Sequence, residues 1–205
     1  SEPNAMNDGL ASNDTLTLDS LYPALAGVYT SGGADSCFET LSEHVDELNK
    51  GGAADDVIFN IRSGTYLETL LIKDFPGSDC DREVIFQSET GNPVDVLITN
   101  LGINAYTVVL DGADGVTFQN LNLESVNTAF RHVVSYQNGA HCNQLIDNII
   151  TGFESTSRAA SSAVIHSAAG PDTMNMFSGN HILHGSYSFY LLGSSTSLSH
   201  TSILY

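Results

Sequence analysis

Basic side chains are scarce. Six Lys and Arg face 24 Asp and Glu across 205 residues, a formal net charge of −18, and no lysine follows Lys73. A field of that sign repels phosphate backbones and anionic lipid, so nucleic-acid binding is not expected. The chain has no tryptophan and no unbroken apolar run of 18 residues, so membrane insertion is not expected either. It also lacks a Gly-x-Ser-x-Gly elbow, which removes the usual signature of a serine nucleophile. The first 15 residues, SEPNAMNDGLASNDT, carry neither the basic region nor the apolar stretch of a signal peptide. The expectation is that a leader has been removed, or that part of this start is foreign and Met6 is the natural beginning. Residues 1 to 24 read as an extended N-terminal segment and residues 25 to 205 as one domain.

Cysteine is rare too, at three. Cys37 and Cys80 lie in polar loops, GGADSCFE and PGSDCDRE, whereas Cys142 enters an apolar run. The expectation is a Cys37 to Cys80 disulfide and a free, buried Cys142. No Cys-x-x-Cys or Cys/His ligand spacing surrounds them, so no metal is implied. The acidic, Ser/Thr/Asn-rich composition and a disulfide suit a secreted or cell-surface protein.

What the chain does have is repetition. Short apolar phrases recur in LDGADGVTFQNLNLES (110–125), NQLIDNIITG (143–152), MNMFSGNHILHG (174–185) and LSHTSILY (198–205). Between them lie β-branched runs, YTVVL, RHVVSY, SAVIH and YSFYLL. Aligning Val109, Val134, Ile165 and Tyr190 gives spacings of 25, 31 and 25 residues. Repeats of that length imply a stacked architecture, because one unit cannot bury its apolar face alone. Each unit holds two or three short strands bounded by Gly, Asn, Asp or Ser, with few two-residue hairpin signals. The fold that fits is an all-β, right-handed parallel β-helix in which each strand pairs with its equivalent one coil later.

Asn120, Asn148 and Asn180 then read as rungs of a ladder at one corner. An amide side chain supplies both donor and acceptor to backbone groups that a bend leaves unpaired. In SCFETLSEHVDELNKGG the apolar residues Phe38, Leu41, Val45 and Leu48 stand at helical spacing before a double glycine. This predicts a helix over about 38 to 49 that caps the open end of the core.

The order FETLSEHVDELN, VIFNIRSGTYLETLLI, VIFQSET, YTVVLDGADGVTFQNLNLES resembles the opening coils of the pectin-lyase-like right-handed β-helix superfamily. It is closer still to β-helix modules of large secreted or cell-surface bacterial proteins. Pectin methylesterases share a Gly-x-Tyr-x-Glu phrase, matched by Gly64, Tyr66 and Glu68, and a phrase resembling Asp114 to Asn120. Their catalytic Gln-Asp, Asp-Phe and Gly-Arg-Pro motifs have no counterpart around Asp147, Asp172, Arg131 or Arg158, so that activity is not carried over and no catalytic residue is assigned.

Other chemistry is thin. A lyase on this fold needs a basic proton acceptor and an acidic sugar, both at odds with the charge. Asp111 and Asp114 stand three apart in a turn, where capping is expected and weakly held calcium is the one cofactor left open. His181 and His184 face opposite sides of a straight strand and do not chelate one ion. The leading expectation is therefore a structural or adhesive β-helical module that binds glycan or assembles with copies of itself, with Tyr136, Tyr187 and Tyr190 as a possible binding surface. The alternative is a carbohydrate-active enzyme, a polysaccharide lyase, esterase or hydrolase, on the same fold.

Overall fold

The computed structural model describes residues 21–100, 102, 104–126, 128, 132–154, 159–167, 170–193 and 201–204. Residues 1–20 of the N-terminal segment expected to be extended over 1–24, together with Arg131 and Arg158, lie outside the described residues. What is described is a parallel β-solenoid of about six turns with one α-helix.

Three parallel sheets form its sides. Sheet A contains β1 (Leu25–Ser31), β2 (Ala53–Ile61), β5 (Val84–Ser88), β8 (Val116–Gln119), β11 (Gln144–Ile146), β14 (Met176–Ser178) and β17 (Ser202–Leu204), paired in that order. Sheet B runs β3 (Gly64–Leu67), β6 (Val96–Thr99), β9 (Asn122–Glu124), β12 (Ile149–Thr151) and β15 (His181–Leu183). Sheet C runs β4 (Leu70–Lys73), β7 (Val108–Asp111), β10 (Val134–Gln137), β13 (Ala163–Ser167) and β16 (Tyr187–Leu191). From β2 onward each coil visits A, B and C in turn, so successive strands lie in different sheets, whereas β1 and β2, separated by the helix, both belong to sheet A; every ladder partner comes from a neighbouring coil.

The core follows from period-2 alternation stacked in register. In sheet A, Phe59, Phe86, Phe118, Leu145, Phe177 and Ile203 occupy one column at spacings of 27, 32, 27, 32 and 26 residues. Phe86 and Phe118 stack at 5.0 Å with ring planes 9° apart. Ile98, Leu123 and Ile150 fill the matching column of sheet B, and Ile72, Leu110 and Tyr136 fill an inward column of sheet C. Burying one such side chain contributes about 1.5–3 kcal/mol, and a stack of like residues repeats that gain coil after coil.

The helix α1 spans Leu41–Gly51, three residues later than the spacing of Phe38 suggests. Thr40 is the N-cap and Glu43 completes a capping box, while Phe38 forms a parallel bridge with Ser31 instead of joining the helix. Leu41, His44, Val45 and Leu48 turn inward. The His44 ring stacks on Phe59 at 4.4 Å and meets Phe38 edge-on, so α1 seals the first coil's core.

The alignment of the β-branched runs needs a one-residue correction at both ends. Val134 pairs with Val108 and Ile165, and Ile165 pairs with Phe189, so Val109 and Tyr190 belong to the outward column instead. A slip of one residue reverses the face of every side chain.

Candidate functional site

Corners come first, because they decide which polar groups are free. Asn148 and Asn180 form one ladder. Asn148 Oδ1 accepts from Leu121 N–H at 2.9 Å, its Nδ2 donates to Phe118 O at 2.8 Å, and its backbone N–H donates to Asn180 Oδ1 at 3.1 Å. Asn180 Nδ2 donates in turn to Leu145 O at 2.7 Å. Asn120 is not a rung. It stands one position earlier, in the left-handed conformation at φ 54, in the column of Asp147 (φ 53) and Gly179 (φ 65), while Leu121 occupies the rung position. A second ladder, missed in the sequence, joins Asn143 and Asn175 at the other end of the sheet A strands. The signal was present: in both coils an Asn directly precedes a sheet A strand.

Acidic side chains are likewise engaged in stitching coils. Asp114 accepts from His141 N–H at 2.6 Å, Asp111 from Asn138 Nδ2 at 2.5 Å, and Asp56 from Glu83 N–H at 3.0 Å. Burial raises the Asp114 pKa, partly offset by the His141 backbone hydrogen bond. Asp172 accepts from Gly139 and Ala140 N–H at 3.0 and 2.9 Å. Glu68, the acid of the Gly-x-Tyr-x-Glu phrase, accepts from Leu41 N–H, Ser42 N–H and Ser42 Oγ at the start of α1. That phrase therefore anchors the cap. Among the described residues no cluster of three His, Cys, Asp or Glu could hold a metal ion.

The cysteine expectation is overturned. Cys80 bonds Cys142, with Cα atoms 5.5 Å apart, and Cys37 is the free, exposed thiol. Cys142 stands at φ 56 in the corner column of Gly115, φ 70, and Met174, φ 57. A Cβ on Gly115 would overlap the carbonyl oxygens of Asp79 and Arg82, so the loop carrying Cys80 passes directly over this corner. Cys142 lies on that corner one coil further on. Cys37, before α1, is outside that reach.

The tyrosine expectation divides. Tyr136 is only 1% exposed and pairs with Leu110 in the inward column of sheet C, so it is removed from the binding surface. Tyr187 is exposed and Tyr190 half-buried, their rings 5.9 Å apart. Tyr190 ends an external column in which Tyr106, His132, His166 and Tyr190 stack at 5.5, 3.9 and 5.8 Å with planes 13°, 24° and 8° apart. Each internal ring face is covered by its neighbour, so the column zips coils together instead of offering a row of platforms. Burial lowers the pKa of His132, and burial with His132 beside it lowers that of His166 to about 4.

The surface that stands out is the exterior of sheet A. Its two outward columns are Val28, Ile58, Ile85, Thr117, Gln144, Met176, Ser202 and Thr30, Asn60, Gln87, Gln119, Ile146, Ser178, Leu204. None of these residues is charged, on a chain of net charge −18. Gln87 Nε2 donates to Asn60 Oδ1 at 2.8 Å, and Gln144 reaches back across β8 to Glu83 at 3.2 Å, burying Thr117 beneath it. Acids keep to the margin, at Asp55, Asp56 and Glu83 before the columns and Glu89 after them. The result is a flat stripe of amides, hydroxyls and aliphatic side chains. Compared with known protein families, curated proteins and solved structures, the chain matches none.

Proposed function

We propose that this chain is a secreted or cell-surface β-helical module whose role is structural and adhesive, and that it holds neutral glycan on the exterior of sheet A. The resemblance to right-handed pectin-lyase-like helices and bacterial surface modules supports the setting. The observation that carries the reading is the uncharged stripe itself. An acidic surface repels anionic polymers and further acidic copies of this chain, whereas amides and hydroxyls pair with sugar hydroxyls and aliphatic side chains cover sugar C–H faces.

The test is co-sedimentation with insoluble cellulose, chitin and xylan. The unmodified chain is expected to pellet with at least one of them, and Gln119→Glu combined with Ile146→Asp to weaken retention at least tenfold. No pelleting by the unmodified chain, or equal pelleting by the variant, defeats the reading.

A further inference from the structure

The exterior of sheet A is not uniform along the solenoid. Over β1, β2 and β5 its two outward columns divide by chemistry. Val28, Ile58 and Ile85 stack in register as a lane of branched aliphatics, and Thr30, Asn60 and Gln87 stack beside them as a lane of hydroxyl and amides. Gln119 extends the polar lane by one strand. After β8 the division is lost, because Gln144 stands in the aliphatic column and Ile146 in the amide column.

Both lanes are open to contact. Val28 is exposed, and Ile58, Ile85, Asn60, Gln87 and Gln119 are half-buried. The amides are also positioned in advance. Gln87 Nε2 donates to Asn60 Oδ1 at 2.8 Å, which fixes the two side chains relative to each other across two strands. That bond uses the oxygen of Asn60 and the nitrogen of Gln87, so the pair still carries an NH2 donor on one residue and a carbonyl acceptor on the other.

Spacing decides what can lie on both lanes at once. Neighbouring strands stand about 4.8 Å apart, and the two columns, two residues apart along a strand, about 6.6 Å. A ligand that follows both lanes over β1, β2 and β5 is therefore straight, runs along the solenoid axis, and carries an apolar face beside a hydrogen-bonding edge. A pyranose ring with equatorial substituents divides in this way, with C–H groups on its faces and polar groups around its rim. Joined β-1,4, such rings form a straight ribbon whose sugars advance by slightly more than one strand spacing. α-1,4 and β-1,3 linkages curve the chain, which lifts successive sugars off a straight aliphatic lane.

We propose that the glycan held by sheet A is a straight β-1,4-linked ribbon of neutral, equatorially substituted sugars lying along the solenoid axis. Its ring faces rest on Val28, Ile58 and Ile85, and its edge groups bond Asn60, Gln87 and Gln119. This rests on the reading of sheet A as a glycan surface and adds the class of glycan, its direction and the half of the sheet that holds it.

The experiment is isothermal titration calorimetry of the full chain with cellohexaose, xylohexaose, maltohexaose and laminarihexaose. Binding of at least one of the two β-1,4 hexaoses is expected, and none of the two curved ones at the same concentrations. Ile58→Ser and Gln87→Ala should each weaken that binding by about fivefold or more. Gln87→Ala leaves the core untouched, so a loss shared by both variants does not come from misfolding. Met176→Ser, on the same face but beyond the two lanes, should have an effect of less than about twofold. Equal binding of maltohexaose or laminarihexaose, or a loss in Met176→Ser as large as in the lane variants, overturns the ribbon and its placement while leaving sheet A a glycan surface. Absence of binding to both β-1,4 hexaoses also overturns it, and retention on the insoluble polymers then decides separately whether the sheet A reading stands.

Discussion

Asn148 and Asn120 look interchangeable in the sequence and are opposite in physics. Asn148 is buried and serves three partners through its side chain. Asn148→Ala strands the N–H of Leu121 and the carbonyl of Phe118, at about 1–3 kcal/mol for each unpaired group. Urea unfolding should show a loss of about 3 kcal/mol. Asn120→Ala meets only the left-handed backbone penalty of about 1–2 kcal/mol, and Asn120→Gly should be close to neutral because Gly179 already occupies the same column.

His44 makes the corresponding argument for pH. It is fully buried between Phe38 and Phe59, with Ser31 Oγ 3.1 Å from its ring nitrogens, and burial lowers its pKa to about 4. The unfolded chain takes up this proton near pH 6.5 and the folded chain only near 4. The stability contributed is therefore full above 6.5 and is lost as pH falls from 6.5 to 4, by roughly 3 kcal/mol at most. His44→Phe should reduce the measured stability slope across that window, with His132 and His166 keeping their own share of it; an unchanged slope would assign the effect wholly to other groups.

At the scale of elements, the cap helix depends on a side chain from the coil below it. Glu68 meets the first turn of α1 with three hydrogen bonds, at the positive end of the helix dipole. Glu68→Ala should cost about 1–2 kcal/mol. Its sharper signature is local: amide exchange should speed up over residues 41–51 while β5, β8 and β11 stay protected. Uniform acceleration would mean that the helix and the coils unfold as one unit. The sheets divide labour in the same way. Sheet A alternates large apolar residues inward with uncharged residues outward, whereas sheet C devotes part of its exterior to the His132 and His166 stack.

For the whole molecule, the Cys80–Cys142 bridge closes a loop with a sequence separation of 62 residues. Chain-entropy arguments put the loss on reduction at roughly 4 kcal/mol, so the thermal midpoint should fall clearly in reductant. Native protein should react with one equivalent of a thiol reagent, at Cys37, and that labelling should survive Cys142→Ser. Protection of Cys37 in the native state would instead restore a bridge between it and Cys80.

The architecture was legible in the linear chain. Short β-branched runs at repeating distances, few hairpin turns, asparagines at strand ends and an amphipathic segment before a double glycine were enough to require stacked coils and a capping helix, because each is a local preference. The exterior of sheet A was also within reach. Val57-Ile58-Phe59, Val84-Ile85-Phe86 and Val116-Thr117-Phe118 share one phrase, whose middle residue faces out. Three things were decided only by tertiary structure: that Tyr136 points inward, that Asn120 misses the ladder, and that Cys142 takes the place of Cys37. The reason is common to all three. Coils differ in length through their loops, the side-chain period is two, and a one-residue change of register reverses a face or shifts a rung. A disulfide answers to the distance between Cα atoms across coils, which no spacing along the chain reveals.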